Sequence, residues 1–477
     1  MKLKELLTEL KVKNEYTDVA VELITDDSRK VVPGCVFVCI RGKHFDGHDA
    51  AAQAVADGAA AIVCEHSVGC PNEVIVEDTR TAFSLMCAAY FGHPSKRLKL
   101  IAVTGTNGKT TTSFLVKEAL DALGVKSGLI GTVKNMIGSE EEPSSLTTPE
   151  SFALNELFSR MAEAGCRYCV MEVSSQALAQ GRVAGCEFEI SIFSNLTQDH
   201  LDYHGTFGAY AAAKAQLFGQ TKKAVLNFDD PYWKLMADSC CGEVVTYSVR
   251  DPADYTATAI RMLPKSVEYD LLHGEEKAHV TVGIPGGFSV YNSLAAIAAL
   301  LELGFDRDAV IRAIGKVHGV KGRIEVVPVD TPYAVIIDYA HTPDGLKNIL
   351  AAVRPITSGR ILTVFGCGGD RDKSKRPKMA KTAAELSDVI IVTSDNPRTE
   401  DPQAIINDIL AGLEGSTTPV FVEADRTEAI RAALSYAQAG DTVILAGKGH
   451  ETYQILASGK IHYDEREIVR DILDGKR

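Results

Sequence analysis

The sequence predicts an α/β protein of three domains, and three observations lead there. The chain has 477 residues, and at roughly 150 residues per domain that suggests about three. Short apolar runs of strand length alternate with segments of helical period, the pattern of βαβ units around mostly parallel sheets. Many of those runs lead into polar or Gly-rich segments, where ligands of such sheets bind. With 45% hydrophobic and 24% charged residues the chain is globular rather than disordered or fibrous. Its 63 acidic side chains outnumber 50 basic ones, for a formal charge of −13. That balance argues against nucleic acid or an anionic membrane as a partner, while leaving room for a local phosphate site.

The opening segment, MKLKELLTELKVKN, lacks the apolar stretch of a signal peptide. No uncharged apolar run approaches the ~20 residues of a membrane span. The 11 cysteines show no paired spacing, which points to a reduced, cytoplasmic setting. Cys166 and Cys169 form a lone C-x-x-C at the entrance to an apolar run, so they are expected to be buried structural thiols.

Residues 1–97 read as a small α/β module with runs at 35–40 and 59–63, closed near Gly92-His93-Pro94-Ser95. Residues 98–325 carry an apolar run at 98–103, a turn-rich loop, a helix-period segment at 110–123 and further runs at 168–173, 187–193 and 224–227. Residues 326–477 follow Gly322-Arg323, with runs at 334–337, 361–365, 389–393 and 442–445, again a doubly wound pattern.

The strongest local signal is Thr104-Gly105-Thr106-Asn107-Gly108-Lys109-Thr110-Thr111, between a strand and a helix. Glycines let backbone N–H groups approach phosphate oxygens, and the helix N-terminus adds partial positive charge. Lys109 would reach the β/γ-phosphates and Thr110 would ligate Mg²⁺. The Walker pattern has its first Gly at position 103, which is Val here; Gly105 stands two residues later. Glu172, at the end of the run 168–173, is where a second magnesium ligand belongs. Asn195-Leu-Thr-Gln-Asp-His-Leu-Asp-Tyr-His204 is dense enough in His and Asp to hold a divalent ion, although imidazole is an unusual ligand for hard Mg²⁺.

Gly105-Thr-Asn-Gly-Lys-Thr-Thr111, Met171-Glu-Val-Ser-Ser175, Asn195 to His204 and Asp338-Tyr-Ala-His-Thr-Pro-Asp344 together resemble the Mur ligases, in order and across all three stretches. These are the ATP-dependent amide-forming enzymes of bacterial peptidoglycan synthesis, and hence of cell-wall biogenesis, cell shape and cell division. The resemblance implies an N-terminal domain (1–97) for the UDP end of a substrate, a central P-loop ATPase-type parallel-sheet domain (98–325), and a C-terminal Rossmann-like domain (326–477) that brings an amino acid. It implies ATP binding by Gly105, Thr106, Asn107, Gly108, Lys109, Thr110, Thr111, Asn292, Arg323 and Asp338. Lys109, Glu172, His200 and Lys214 would be the catalytic residues. Magnesium would be held by Thr110 and Glu172, with His200 and Lys214 at a second ion, Lys214 as a CO₂-derived carbamate. The UDP-sugar-dipeptide would meet Ser28, Lys43, His44, Phe45, Thr147, Thr148, Ser174, Gln180 and Arg182. The chain would act as a cytoplasmic monomer without nucleic-acid or membrane partners.

Within the family, Phe365-Gly-Cys-Gly-Gly-Asp-Arg-Asp372, Ser394-Asp-Asn-Pro-Arg-Thr-Glu400 and Ala446-Gly-Lys-Gly-His-Glu451 carry the amino-acid assignment. They resemble members that add meso-2,6-diaminopimelate to UDP-N-acetylmuramoyl-L-alanyl-D-glutamate through an acyl phosphate; the alternative is a lysine-adding member. Diaminopimelate has one carboxylate more than lysine, and a guanidinium fork suits it. The resemblance assigns that fork to Arg398, the other carboxylate to Arg371, and the remaining contacts to Asp395, Asn396, Pro397, Gly447 and Glu451. A site built for a carboxylate leaves Arg398 unpaired when lysine binds, so discrimination should reach a factor of ~10³ or more.

Overall fold

The computed structural model describes residues 1–475 apart from 43, 44, 198, 264, 318 and 320, and for Leu201 and Asp202 the backbone alone. The chain forms two compact units, Met1–Tyr247 and Ser248–Arg477.

The first unit begins with four parallel strands in sequential order, β1 (Leu23–Thr25), β2 (Cys35–Val38), β3 (Ala61–Cys64) and β4 (Glu73–Ile75). Both faces of β2 and β3 are covered, which is why Cys-Val-Phe-Val and Ala-Ile-Val-Cys are unbroken apolar runs. Ala82, Phe83 and Met86 of the helix Thr79–Tyr90 pack on Val36, Val38 and Val63.

A second sheet of this unit contains β5 (Lys99–Thr104), β6 (Ser127–Ile130), β7 (Lys134–Ile137), β8 (Glu140–Pro143), β9 (Tyr168–Glu172), β10 (Phe188–Phe193), β11 (Thr221–Asn227) and β12 (Glu243–Ser248). Their spatial order is β12-β11-β10-β5-β9-β6-β7-β8. Strand β5 lies between β9 and β10, with Val103 level with Glu172 and Thr104 level with Phe193. The loops that leave these three strand ends therefore share one edge of the sheet. Register, more than any contact, assembles the phosphate site.

The second unit opens with an antiparallel meander, β13 (Tyr255–Leu263), β14 (Ser266–His273) and β15 (Glu276–Val282), with the apolar helix Gly287–Glu302 against it. It continues with β16 (Glu325–Val326), β17 (Ala334–Asp338), β18 (Ile361–Phe365), β19 (Val389–Val392), β20 (Val420–Val422) and β21 (Thr442–Ala446), in the order β16-β17-β21-β18-β19-β20. All but β16 run parallel, and β21, last in sequence, lies between β17 and β18. A hairpin of β22 (Tyr453–Leu456) and β23 (Gly459–His462) follows.

The apolar runs read from the sequence fall on β2, β3, β5, β9, β10, β11, β17, β18, β19 and β21. The antiparallel segments β6–β8 and β13–β15 were not foreseen. β8 and β13–β15 are half-buried or exposed, as the alternation along β14 shows, and so lack a continuous apolar signature, while the buried β6 and β7 are four-residue strands, Ser-Gly-Leu-Ile and Lys-Asn-Met-Ile, with too few apolar residues to form one. Cys166 and Cys169 are buried free thiols, as expected, and burial raises the pKa of both. Among the described residues no helix is long and apolar enough to cross a membrane.

Candidate active site

Strand β5 ends at Thr104, and the chain turns through Gly105 and Gly108, both with positive φ (+147° and +85°). A Cβ on Gly105 would lie 2.0 Å from Ser194 Oγ, so only glycine fits that turn. The helix Lys109–Ala122 starts at Gly108 with no side-chain cap. Its first backbone N–H groups are thus available to an anion.

The neighbouring strand end braces this loop. Thr106 N donates to Asn195 O (2.8 Å), Asn107 N to Asn195 Oδ1 (2.9 Å), and Ser194 Oγ to Asn107 O (2.6 Å). The Thr106 hydroxyl lies 3.0 Å from Tyr210 OH. The near half of the Asn195–His204 motif is therefore a scaffold for the phosphate loop. Lys109 Nζ donates to the Gly105 and Thr106 carbonyls (2.9 and 3.0 Å), curling over the loop. Lys214 Nζ reaches Gly105 O from the far side (2.8 Å) and is only 1% exposed. Burial, and then the charge of Lys109, pushes the Lys214 ammonium well below the ordinary lysine range.

Glu172 is fully buried at the end of β9. Its carboxylate accepts from Thr110 Oγ1 (2.9 Å), Thr132 N (2.9 Å) and Thr132 Oγ1 (3.0 Å), and among the described residues no lysine or arginine pairs with it. A buried carboxylate with only neutral donors has uncompensated charge, and its partner Thr110 offers a hydroxyl oxygen. That oxygen donor set fits a hard Mg²⁺ ion. His200 is exposed, with a left-handed backbone (φ +52°), its ring Nε2 3.4 Å from Asp199 Oδ2 and its ring edge-on to that of Tyr210 at 6.2 Å between centroids. Among the described residues no group of three or more His, Cys, Asp and Glu is placed to hold a metal. The structure thus pairs Thr110 with Glu172 and places Lys214 under the loop, while no hydrogen bond joins His200 to either among the described residues.

Thr148 Oγ1 donates to Glu172 O (2.9 Å) and accepts from Ser174 N (3.0 Å). Arg182 donates to Thr148 O (2.8 Å) and Gln180 Oε1 (2.8 Å), and pairs with Glu150 (2.6 Å). The Thr147 hydroxyl is 3.0 Å from that of Thr132. Thr147, Thr148, Ser174, Gln180 and Arg182 therefore form one connected edge running to the carboxylate. Ser28 starts a short turn capped by Asp27, and Phe45 is 56% exposed. Lys43 and His44 lie outside the described residues.

In the second unit polar side chains cluster just beyond the ends of β19 and β21, where the sheet's parallel strands place their C-terminal loops side by side. Asp395, Asn396 and Lys448 are buried there. Lys448 Nζ, missed in the sequence although it stands inside the Gly-Lys-Gly-His-Glu motif, donates to Asp395 Oδ1 (3.4 Å), Asn396 Oδ1 (3.1 Å) and Glu451 Oε2 (3.2 Å). Asn396 Nδ2 donates to Glu451 Oε2 (2.8 Å), which fixes its amide orientation. Asp395 and Glu451 face Lys448, and the buried Arg426, paired with Glu465, is also an electrostatic neighbour of Asp395. Arg398, in the left-handed region (φ +52°), donates through Nη1 to Gly369 O (2.8 Å). A Cβ on Gly368 would lie 2.9 Å from that nitrogen, so the glycine lets the guanidinium lie across the loop. Gly447 (φ +120°) abuts the Asp395 carboxylate. Pro397 is buried, and Arg371 is exposed on the neighbouring loop.

Asp338, at the end of β17, accepts from Ile324 N and Ala340 N (both 2.8 Å), and burial raises its pKa. The Arg323 guanidinium sits 5.4 Å from the centre of the Tyr339 ring, and its buried Nε has no hydrogen-bond partner among the described residues. Asn292 is buried on the helix Gly287–Glu302. Thr132 is an addition the sequence did not mark, since it sits in no patterned motif, and Tyr210, which opens the Tyr210-Ala-Ala-Ala-Lys214 segment, gains a contact with the loop that the sequence had not assigned it.

The fold and these sites define an α/β protein with a glycine-bearing loop at the head of a helix and a separate doubly wound unit with a cluster of charged side chains at its strand ends. Family models described as "Mur ligase family, catalytic domain", "Mur ligase middle domain" and "Mur ligase, glutamate ligase domain" match residues 20–84, 103–300 and 322–449. The chain is 45% identical over 467 residues, 96% of each chain, to a UDP-N-acetylmuramoyl-L-alanyl-D-glutamate--2,6-diaminopimelate ligase of Clostridium perfringens. It is 46% identical over 463 residues to the protein of the same name from Geobacillus kaustophilus, covering 95% of this chain and 94% of the other. A solved structure with that name superposes with a TM-score of 0.76 at 35% identity, over 100% of this chain and 99% of the other. This chain belongs to the Mur ligase family.

Proposed function

We propose that this chain is an ATP-dependent acid–amino-acid ligase of bacterial peptidoglycan synthesis. It joins meso-2,6-diaminopimelate to the D-glutamyl carboxylate of UDP-N-acetylmuramoyl-L-alanyl-D-glutamate, with release of ADP and phosphate. The observation that carries this reading is the cluster of Asp395, Asn396, Lys448 and Glu451 with the Arg398 guanidinium beside it. Its chemistry suits an amino acid with a distal ammonium and a distal carboxylate, in agreement with the names of the relatives.

A carboxylate is a poor electrophile, so its oxygen first attacks the γ-phosphorus of ATP and ADP leaves. The amine then attacks the carbonyl carbon of the acyl phosphate, and phosphate departs. Both transition states gather negative charge, which fixed cations and N–H groups stabilise. The N–H groups of 105–111 and the Lys109 ammonium hold the phosphates; Asn292, Arg323 and Asp338 serve the base and ribose. Thr110 and Glu172 would hold Mg²⁺, with His200 at a second ion; bound magnesium supplies the Lewis-acid charge for phosphoryl transfer. Lys214 is suited to a carbamate because burial favours its neutral amine, whose lone pair adds to CO₂ with release of a proton. The edge Thr147, Thr148, Ser174, Gln180 and Arg182, with Ser28, Lys43, His44 and Phe45, receives the UDP-sugar-dipeptide; Arg371 takes the second carboxylate of diaminopimelate. We read the domains as 1–97, 98–325 and 326–477, in a cytoplasmic monomer.

The test is phosphate release with diaminopimelate, lysine or ornithine offered beside the UDP-muramoyl-dipeptide and ATP, with mass spectrometry of the product. Release should require both acceptor and amine, with diaminopimelate preferred. Equal or better use of lysine would overturn the assignment of the amino acid, and absence of product with all three would overturn the reaction.

A further inference from the structure

Behind this cluster lies a buried cation that the proposed reaction does not use. Arg376, in the first turn of the helix Lys375–Leu386, is completely buried. Its Nη1 donates to Glu400 Oε2 (3.1 Å) and Asp408 Oδ2 (2.8 Å), and its Nη2 to Glu400 Oε1 (2.9 Å) and Gly368 O (3.3 Å). Glu400 in turn accepts from Asp370 N (2.6 Å), and the Asp370 carboxylate accepts from Thr399 N (3.2 Å) and Thr399 Oγ1 (2.8 Å). The Arg376 guanidinium holds the Glu400 carboxyl down at about 2, so the link stays ionised through any working pH.

These bonds tie together the two loops that carry Arg371 and Arg398. They join directly at Gly369 N to Asn396 O (2.9 Å) and Arg398 Nη1 to Gly369 O (2.8 Å). Gly369 is so close that a Cβ there would lie 1.9 Å from Pro397 O. Asp370 and Arg398 both have left-handed backbones, at φ +54° and +52°. Side-chain-bearing residues persist in that region only where the surroundings over-determine them. A buried ion pair adds little net stability, because desolvation offsets its attraction, yet it fixes geometry.

We propose that Arg376 is a positioning residue for the amino-acid pocket: through Glu400 and the Gly368 carbonyl it locks the loop of Arg371 to the loop of Arg398. The inference rests on the reading of this cluster as the diaminopimelate pocket. The two loops carry the groups assigned to the amino acid and none assigned to the nucleotide, so loosening the lock acts on the amino acid and leaves the nucleotide alone.

The test uses the full chain with Arg376→Lys, Glu400→Gln and, as reference, Arg398→Ala, varying one of the three substrates at a time. For Arg376→Lys and Glu400→Gln the KM for diaminopimelate should rise about tenfold or more, with kcat and the KM for ATP within about twofold, and the preference over lysine should fall in step. Glu400→Gln keeps an acceptor for Asp370 N and spares the fold if Arg376→Lys does not. An unchanged KM for diaminopimelate in both variants overturns the proposal. So does a joint fall in kcat and folded fraction with a rise in all three KM values, which marks a purely structural role. Arg398→Ala separates the two levels: if it too leaves the diaminopimelate KM unchanged, the pocket reading has failed, and if it alone raises it, only the lock has failed.

Discussion

Replacing Arg398 by Ala should lower kcat/KM for diaminopimelate by about two powers of ten and leave lysine use untouched. Arg398 is partly buried, and its Nη1 is occupied by Gly369 O at 2.8 Å. Among the described residues Nε and Nη2 make no hydrogen bond, so the side-on fork of the guanidinium is open to a carboxylate. Two charge-assisted hydrogen bonds at about 1.5 kcal/mol net each amount to ~3 kcal/mol. At about 1.4 kcal/mol per tenfold, that is a loss of roughly 150-fold. Lysine has no distal carboxylate and never engages the fork, so its slow reaction should be unchanged. The assay is steady-state phosphate release with each amine varied at saturating ATP and UDP-muramoyl-dipeptide. A loss below threefold for diaminopimelate, or an equal loss for lysine, would refute the reasoning.

Three further outcomes are expected. Lys214→Ala should be nearly inactive and partly rescued by short carboxylates, and full activity without rescue would exclude the carbamate. Gly105→Ala puts a Cβ 2.0 Å from Ser194 Oγ, so it should destabilise the first unit by about 1–3 kcal/mol, read from urea midpoints, and lower kcat with it; an unchanged midpoint and rate would show the loop to be plastic. The depressed pKa of Lys214 also gives a sign: between its folded value and 10.5 the unfolded chain binds the extra proton, so stability should rise with pH across that window. In CO₂-free buffer Lys214→Met should flatten that rise, and parallel urea-midpoint profiles for parent and variant would contradict it.

Much of the site was legible because its chemistry is local. Gly105 to Thr111 must be read in sequence to form a loop between a strand and a helix, and Glu172 and Asp338 stand at the ends of apolar runs. Thr132 was not legible, since its bond to Glu172 arises from the neighbouring strand β6 and no spacing announces it. Lys448 was visible as a residue but not as a partner, because its three acceptors are 53, 52 and 3 positions away. The His-and-Asp-rich motif does more than its composition announced: Asn195 and Thr197 turn toward the Gly105–Thr111 loop, while His200 lies beside its own neighbour Asp199.

Sequence alone thus determined the alternation of strand and helix, the loop of Gly105 to Thr111 and the candidate groups of the site, since periodicity and turn chemistry act over a few residues. Tertiary structure decided which of those groups meet. Parallel register sets Val103 beside Glu172, a glycine without a Cβ admits Ser194 against the loop, and the buried Arg376 and Lys448 draw carboxylates from distant loops. A charge taken out of water must find its partner wherever the fold brings one, and that distance in space has no counterpart in distance along the chain.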